Sequence, residues 1–178
     1  MSSARGLALV RIGLGLTLIM SAFAKTSGGW FLTDEPLLAF LQENAANMTP
    51  PYNVFLDNFV VPNSMLFAQL IPIGEWVAGL SLTFGLFTRL GGILAAWHTL
   101  NYGLAKGIMS VEATDDRIFV VASIACAAAA AGLAWGLDGA LRPAFRSNAL
   151  TRWLAGIRMP LVLAPRPRPL TRTGSRAA

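Results

Sequence analysis

The sequence predicts an all-α integral membrane protein: a four-helix bundle with a long extracytoplasmic loop carrying short helices, and a basic cytoplasmic C-terminal tail. Three observations lead there. Of 178 residues, 54% are apolar and only 13% charged, where a soluble domain carries about 25% charged residues. Four apolar runs, at about 5–24, 65–87, 90–105 and 118–137, are separated by polar stretches, and about 20 such residues suffice to cross a bilayer. The basic residues are also unevenly placed, eight of the fourteen being arginines beyond Gly139. Residues 1–141 read as the four-span domain and 142–178 as a basic amphipathic segment with a Pro/Arg-rich tail.

The first run contains Arg11 and ends in Lys25. It lacks a small-residue cleavage site and reads as a membrane helix rather than a signal peptide. Gly13 and Gly15 would let another helix approach closely. A long connection follows. Thr33-Asp34-Glu35-Pro36 has the hydroxyl, acids and early proline of a helix start. Residues 52–61 read as a second short helix lying in the membrane interface, and Pro62-Asn63-Ser64 as the start of the second span.

The second run carries Glu75 near its middle and Pro72 as an expected kink. A charge at that depth costs at least about 2.5–3.5 kcal/mol on insertion scales, so it calls for a partner. A short turn around Arg89 leads into the third run, which holds the one histidine, His98. The fourth run is rich in alanine, with Gly132 and Gly136, as suits a helix packed against others. Trp30, Trp135 and Trp153 fall near the expected membrane edges and read as interface anchors. Beyond them, 142–158 reads as an amphipathic surface segment. The Pro/Arg-rich end reads as a tail with no fold of its own, suited to anionic lipid.

Arg5, Arg11, Arg89 and the arginine tail fall on one side of the bundle. Asp34, Glu35, Glu43, Asp57, Glu112, Asp115 and Asp116 fall on the other. By the positive-inside rule both termini are cytoplasmic, in a bacterial or archaeal inner membrane. Glu75, His98 and Arg11 then lie roughly 18, 12 and 9 Å above the cytoplasmic edge at 1.5 Å per residue. The expectation is one buried polar cluster of Arg11, Glu75 and His98, with Asn101 and Tyr102 one turn further out. Two readings of it stay open: an ion pair that fixes helix register, or a quinone-head-group or proton-relay site in which His98 donates and Glu75 handles protons. One cysteine (Cys126) and one histidine leave no ligands for a cluster, a bis-histidine haem or another metal site. The expected small molecules are therefore quinone and lipid. The location of the basic charge argues against nucleic acid.

The stretches RIGLGLTLIMSAFAK (11–25), YNVFLDNFVVPNSMLFAQLIPIGEWVAGLSLTFGLFTRLGG (52–92) and DDRIFVVASIACAAAAAGLAWGLDGAL (115–141) resemble the DoxX family. Within it they resemble the DoxD-like small subunit of thiosulfate:quinone oxidoreductase. The resemblance implies a four-helix membrane bundle associated with complexes that pass electrons to quinone, and it singles out Arg11, Lys25, Glu75 and Asp138. Two functions follow as expectations. One is an accessory subunit of a larger respiratory or photosynthetic electron-transfer complex, partnered by its other membrane subunits and without a redox centre of its own. The other is a quinone-reducing subunit of thiosulfate oxidation with a site around Glu75 and His98.

Overall fold

A computed structural model describes residues 3–157, and among these the secondary structure is entirely helical. The arginine tail beyond residue 157 lies outside the described residues.

Helix α1 spans Ser3–Ser27, longer than expected at both ends, with Lys25 in the last turn where a cation suits the helix dipole. Helix α2, Glu35–Asn44, opens on Pro36, and the Thr33 hydroxyl accepts the Glu35 N–H at 3.1 Å. The Asp34 carboxylate is engaged elsewhere, by the Ser64 hydroxyl.

The next element departs from expectation. Residues 52–61 do not form a separate interfacial helix. Helix α3, Tyr52–Phe55, runs into a π-helical turn, Leu56–Val60, then a 3-10 turn, Val61–Asn63, and on into α4, Ser64–Phe84. The result is one 33-residue rod, Tyr52–Phe84. Pro62 does not break it, because the wide and then tight turns around it absorb the missing donor. The rod also continues through Pro72. It stops at Gly85, which takes the left-handed conformation (φ +66°) that a side chain disfavours.

Helix α5 is Thr88–Ala105 and α6 is Thr114–Ala128. The fourth run was expected at 118–137, so α6 begins four residues early and ends nine early. Asp115 and Asp116 in its first turn favour the early start. At the other end Ala130 is left-handed (φ +50°) and a 3-10 turn, Ala131–Leu133, replaces the helix. Short α7, Leu137–Ala140, a 3-10 turn, Ala144–Ser147, and α8, Ala149–Leu154, complete the described chain.

Helix α1 packs on α4, α4 on α5, α5 on α6, and α6 on α1. The residues that face inward are small: Ala8, Ala22, Ala68, Ala78, Ala95 and Ala105 are all buried. The residues that face outward are large, among them Leu16, Met20, Phe23, Leu80, Phe84, Ile93 and Val121. Small residues between helices and bulky ones outside suit a lipid solvent, where burying leucine gains nothing over leaving it in hydrocarbon. Gly15 shows the close approach, packed on Gly79 of α4, whereas Gly13 faces open space. Two helices, Ser3–Ser27 and Tyr52–Phe84, are long and apolar enough to cross a membrane. Helix α6 alone is not, since its 15 residues rise about 22 Å against a hydrocarbon core of about 30 Å.

Candidate functional site: two polar centres at opposite ends of the helices

The single cluster expected from sequence is two separate ones. Arg11 does not meet Glu75. The partner of Glu75 is Lys25, whose Nζ lies 3.0 Å from Glu75 Oε1. Ser21 ties the pair together: its hydroxyl accepts from Lys25 Nζ at 2.6 Å and donates to Glu75 Oε1 at 3.2 Å. The cause is the direction of helical side chains, which lean toward the N-terminus of their own helix. Lys25 therefore reaches back along α1 to the level of Ser21 and Glu75. Arg11 leans the same way, and so away from Glu75. The Lys25 ammonium also faces the Trp30 ring at 5.5 Å and the Tyr102 ring at 5.1 Å. Trp30 is thus half-buried beside the charge pair.

Around this pair lies a cavity of about 290 Å³, walled also by His98, Tyr102, Lys106, Asp116 and Ser123. Lys106 Nζ pairs with Asp116 Oδ2 at 2.9 Å, closing the loop end between α5 and α6. His98 lines the same cavity as Glu75. Its ring lies over Gly74, at a point where any Cβ would collide with it. Among the described residues it has no hydrogen-bond partner for its side chain. Three buried oxygens on the cavity wall are left unpaired: Glu75 Oε2, Tyr102 Oη and Ser123 Oγ. A buried polar atom without a partner is costly and rare, so three around one space invite a hydrogen-bonding guest.

Asn101 belongs to a different wall. Its Oδ1 accepts the Tyr52 hydroxyl at 2.6 Å, and its Nδ2 donates to the Trp97 carbonyl at 2.6 Å. It borders a second, apolar cavity of about 330 Å³. Among the described residues no three of His, Cys, Asp and Glu are grouped so as to hold a metal ion.

Arg11 forms the other polar centre and is wholly buried. Its Nη1 donates to the Ala131 carbonyl at 3.2 Å and its Nη2 to the Trp135 carbonyl at 3.0 Å. These carbonyls are available because α6 has ended. Asp138, also wholly buried, accepts the N–H groups of Phe87 at 2.7 Å and Thr88 at 2.9 Å. It therefore caps α5 from outside that helix and supplies negative charge near Arg11. Asp138→Ala is expected to cost about 2 kcal/mol, the worth of charge-assisted hydrogen bonds to two helix-end donors. Thermal unfolding in detergent would read the loss, and the Phe87 and Thr88 amides should lose hydrogen-exchange protection first.

Trp135 and Trp153 are half-exposed at this same end. Arg5 lies over the Trp135 ring at 5.8 Å, and Arg89 over that of Trp153 at 5.4 Å. The segment after Arg142 is partly docked: Phe145 stacks on Phe87 at 5.5 Å, and Ala155 and Ile157 are buried. Only Leu150 and Trp153 keep the exposed apolar character expected of a surface helix.

A helical membrane protein with a buried charge pair beside a polar chamber is the class that these features define. Residues 6–105, more than half of the chain, match the family model DoxX. The chain belongs to the DoxX family. The match takes in Arg11, Lys25, Glu75 and His98 and stops at the end of α5, so Asp116 and Asp138 lie beyond it. No curated protein and no solved structure matches the chain.

Proposed function

We propose that this chain is an integral membrane subunit of a quinone-linked electron-transfer assembly, in which it seats the quinone head group. The observation that carries this reading is the polar cavity beside Lys25 and Glu75, with its unpaired Glu75, Tyr102 and Ser123 oxygens. Tyr102 and Ser123 can donate to the oxygens of a head group, and Glu75 Oε2 can accept from a hydroxyl. A quinone held there would carry electrons and protons between a partner subunit and the membrane pool. The residues of this chain bind and orient it: the Lys25 ammonium holds Glu75 Oε1, while Oε2 has no partner within the protein.

In this reading α1, α4, α5 and α6 form a four-span bundle, with the segment after α6 completing the fourth crossing. Arg5 and Arg89 lie at the cytoplasmic end, where the arginine tail would add attraction for anionic lipid. The polar chamber then belongs to the extracytoplasmic half of an inner-membrane protein with both termini inside.

The accessory reading is preferred over a DoxD-like subunit acting on thiosulfate. The charges that line the cavity form two closed pairs, Lys25–Glu75 and Lys106–Asp116. That leaves little attraction for a dianion.

The test is mild-detergent purification of the tagged chain from its native membrane, with extraction of bound quinone and mass spectrometry of co-purifying subunits. Quinone is expected in the wild-type peak, together with subunits of an electron-transfer complex. Tyr102→Phe is expected to lower the retained quinone about tenfold, near 1.4 kcal/mol, with thermal unfolding in detergent reading separately any loss from the hydroxyl's approach to the Glu75 carboxylate. A peak without quinone, or full retention by Tyr102→Phe, would overturn the head-group assignment.

A further inference from the structure

The polar cavity has an apolar neighbour. The 330 Å³ space is bounded by the π-helical turn Leu56–Val60, by α2 and by the facing sides of α4 and α5. Leu37, Leu41, Leu56 and Val60 form its buried wall. Phe55, Leu70 and Trp97 also line it and are exposed on the outer surface of the helices, where lipid would lie. Among its polar groups, Asn101 and Tyr52 are satisfied by each other. The exceptions are the His98 ring and the Tyr102 hydroxyl, both on the side toward the polar chamber.

Three residues, Phe40, His98 and Tyr102, line both cavities. They form a common wall between a chamber that offers hydrogen bonds and one that offers only hydrocarbon contact. Each space is near the lower end of the about 300–1,000 Å³ usual for small-molecule sites. A ligand that satisfies both has a hydrogen-bonding ring at one end and a single flexible hydrocarbon chain at the other. A π-helical turn in the wall suits the same purpose, since such turns recur at functional sites.

We infer that the apolar cavity is the seat of the ligand's hydrocarbon tail and its lateral way in from the lipid, with His98 at the junction of tail and head. This rests on the head-group reading of the polar chamber and adds to it the ligand class: a ring carrying one long apolar chain. The chain enters between Phe55, Leu70 and Trp97 and lies against Leu41, Leu56 and Val60. The ring passes the His98–Tyr102 wall toward Glu75.

The experiment compares two benzoquinones with the same ring, one carrying a methyl group and one a decyl chain, on the full chain in nanodiscs of fixed lipid content. Binding is read by quenching of tryptophan fluorescence. Leu70→Phe and Ile71→Phe narrow the apolar cavity from a half-exposed and a half-buried position. Each is expected to weaken decyl binding about tenfold, the scale of an overpacked contact. Binding of the methyl compound should change by less than about twofold, since the polar chamber is untouched.

If neither variant weakens the decyl compound, the tail lies in bulk lipid; this inference falls and the head-group reading stands. If both compounds lose equally, the apolar cavity is not a separate tail site, and the inference falls. If neither compound binds the wild type, both readings fall. A phospholipid retained in native mass spectra and not displaced by the decyl compound would also overturn the assignment.

Discussion

Lys25→Met is expected to destabilise the protein by about 3 kcal/mol, because it leaves the Glu75 carboxylate buried without its counter-charge. Breaking a buried pair from one side costs about 3–5 kcal/mol. The lower end applies, since the Lys25 side chain keeps 15% of its surface exposed against 2% for Glu75. The same numbers predict an asymmetry. Glu75→Gln strands an ammonium on a long stem that can turn toward the surface, and it should cost only about 1–2 kcal/mol, the loss of one charge-assisted bond. In the double variant neither charge remains, and most of the loss should return. Chemical unfolding of the three variants in detergent closes the cycle, with an expected coupling of about 3 kcal/mol. Additive losses would mean that the pair contributes nothing as a pair. The binding of methyl hydroquinone, the reduced form that carries hydroxyls, separates structure from function: the double variant should be stable and yet bind it more weakly, because a neutral amide oxygen replaces the charged Glu75 acceptor.

Much of this was legible in the residues. Glu75 and His98 both fall toward the middle of adjoining antiparallel runs, at about 18 and 12 Å; with α4 ending at Phe84 and α5 starting at Thr88 the two come to nearly one level. Rise per residue gives that depth directly. It does not give the direction in which a side chain leans, and the assignment of Arg11 to Glu75 failed there. The signal that would have corrected it was in the sequence: Ser21 and Lys25 are one helical turn apart, and both lean back toward the N-terminus of α1. The end of α6 was hidden for another reason. An alanine run is the best helix former by propensity, yet the chain leaves the helix at Ala129–Ala130. What outweighs propensity is tertiary: Arg11 requires carbonyls that an intact helix would keep for itself, and Asp138 must reach the start of α5. The contact between Trp30 and Lys25 has no sequence signal, because a tryptophan near a membrane edge looks the same whether or not it also meets a lysine. The apolar cavity had no sequence signal. Its walls come from α2, α5 and the rod Tyr52–Phe84, and that rod was expected to start only at Pro62.

Arg11→Met should be about as damaging as the loss of Lys25, about 3 kcal/mol, because two charge-assisted hydrogen bonds to carbonyls are lost together. Here no exposed stem softens the effect, because Arg11 and Asp138 are both wholly buried. Two carbonyls, of Ala131 and Trp135, lose their donors, and Asp138 loses the neighbouring cation while still holding the Phe87 and Thr88 amides. Arg11→Lys is expected to recover only part of the loss, since one ammonium cannot reproduce a planar fork reaching two carbonyls. Adding Asp138→Asn to Arg11→Met should restore some stability by removing the stranded charge. Unfolding in detergent gives the magnitudes, and hydrogen exchange at Ala131–Leu133 and at the start of α5 shows whether the loss is local to this end. The variant also tests the division of the molecule into two centres. Arg11 does not line the polar cavity, so the folded fraction of Arg11→Met should bind the methyl benzoquinone as the wild type does. A folded variant that lost binding would mean that the two ends are coupled through α1, and that the register of this helix, set by Arg11, positions Lys25 against Glu75.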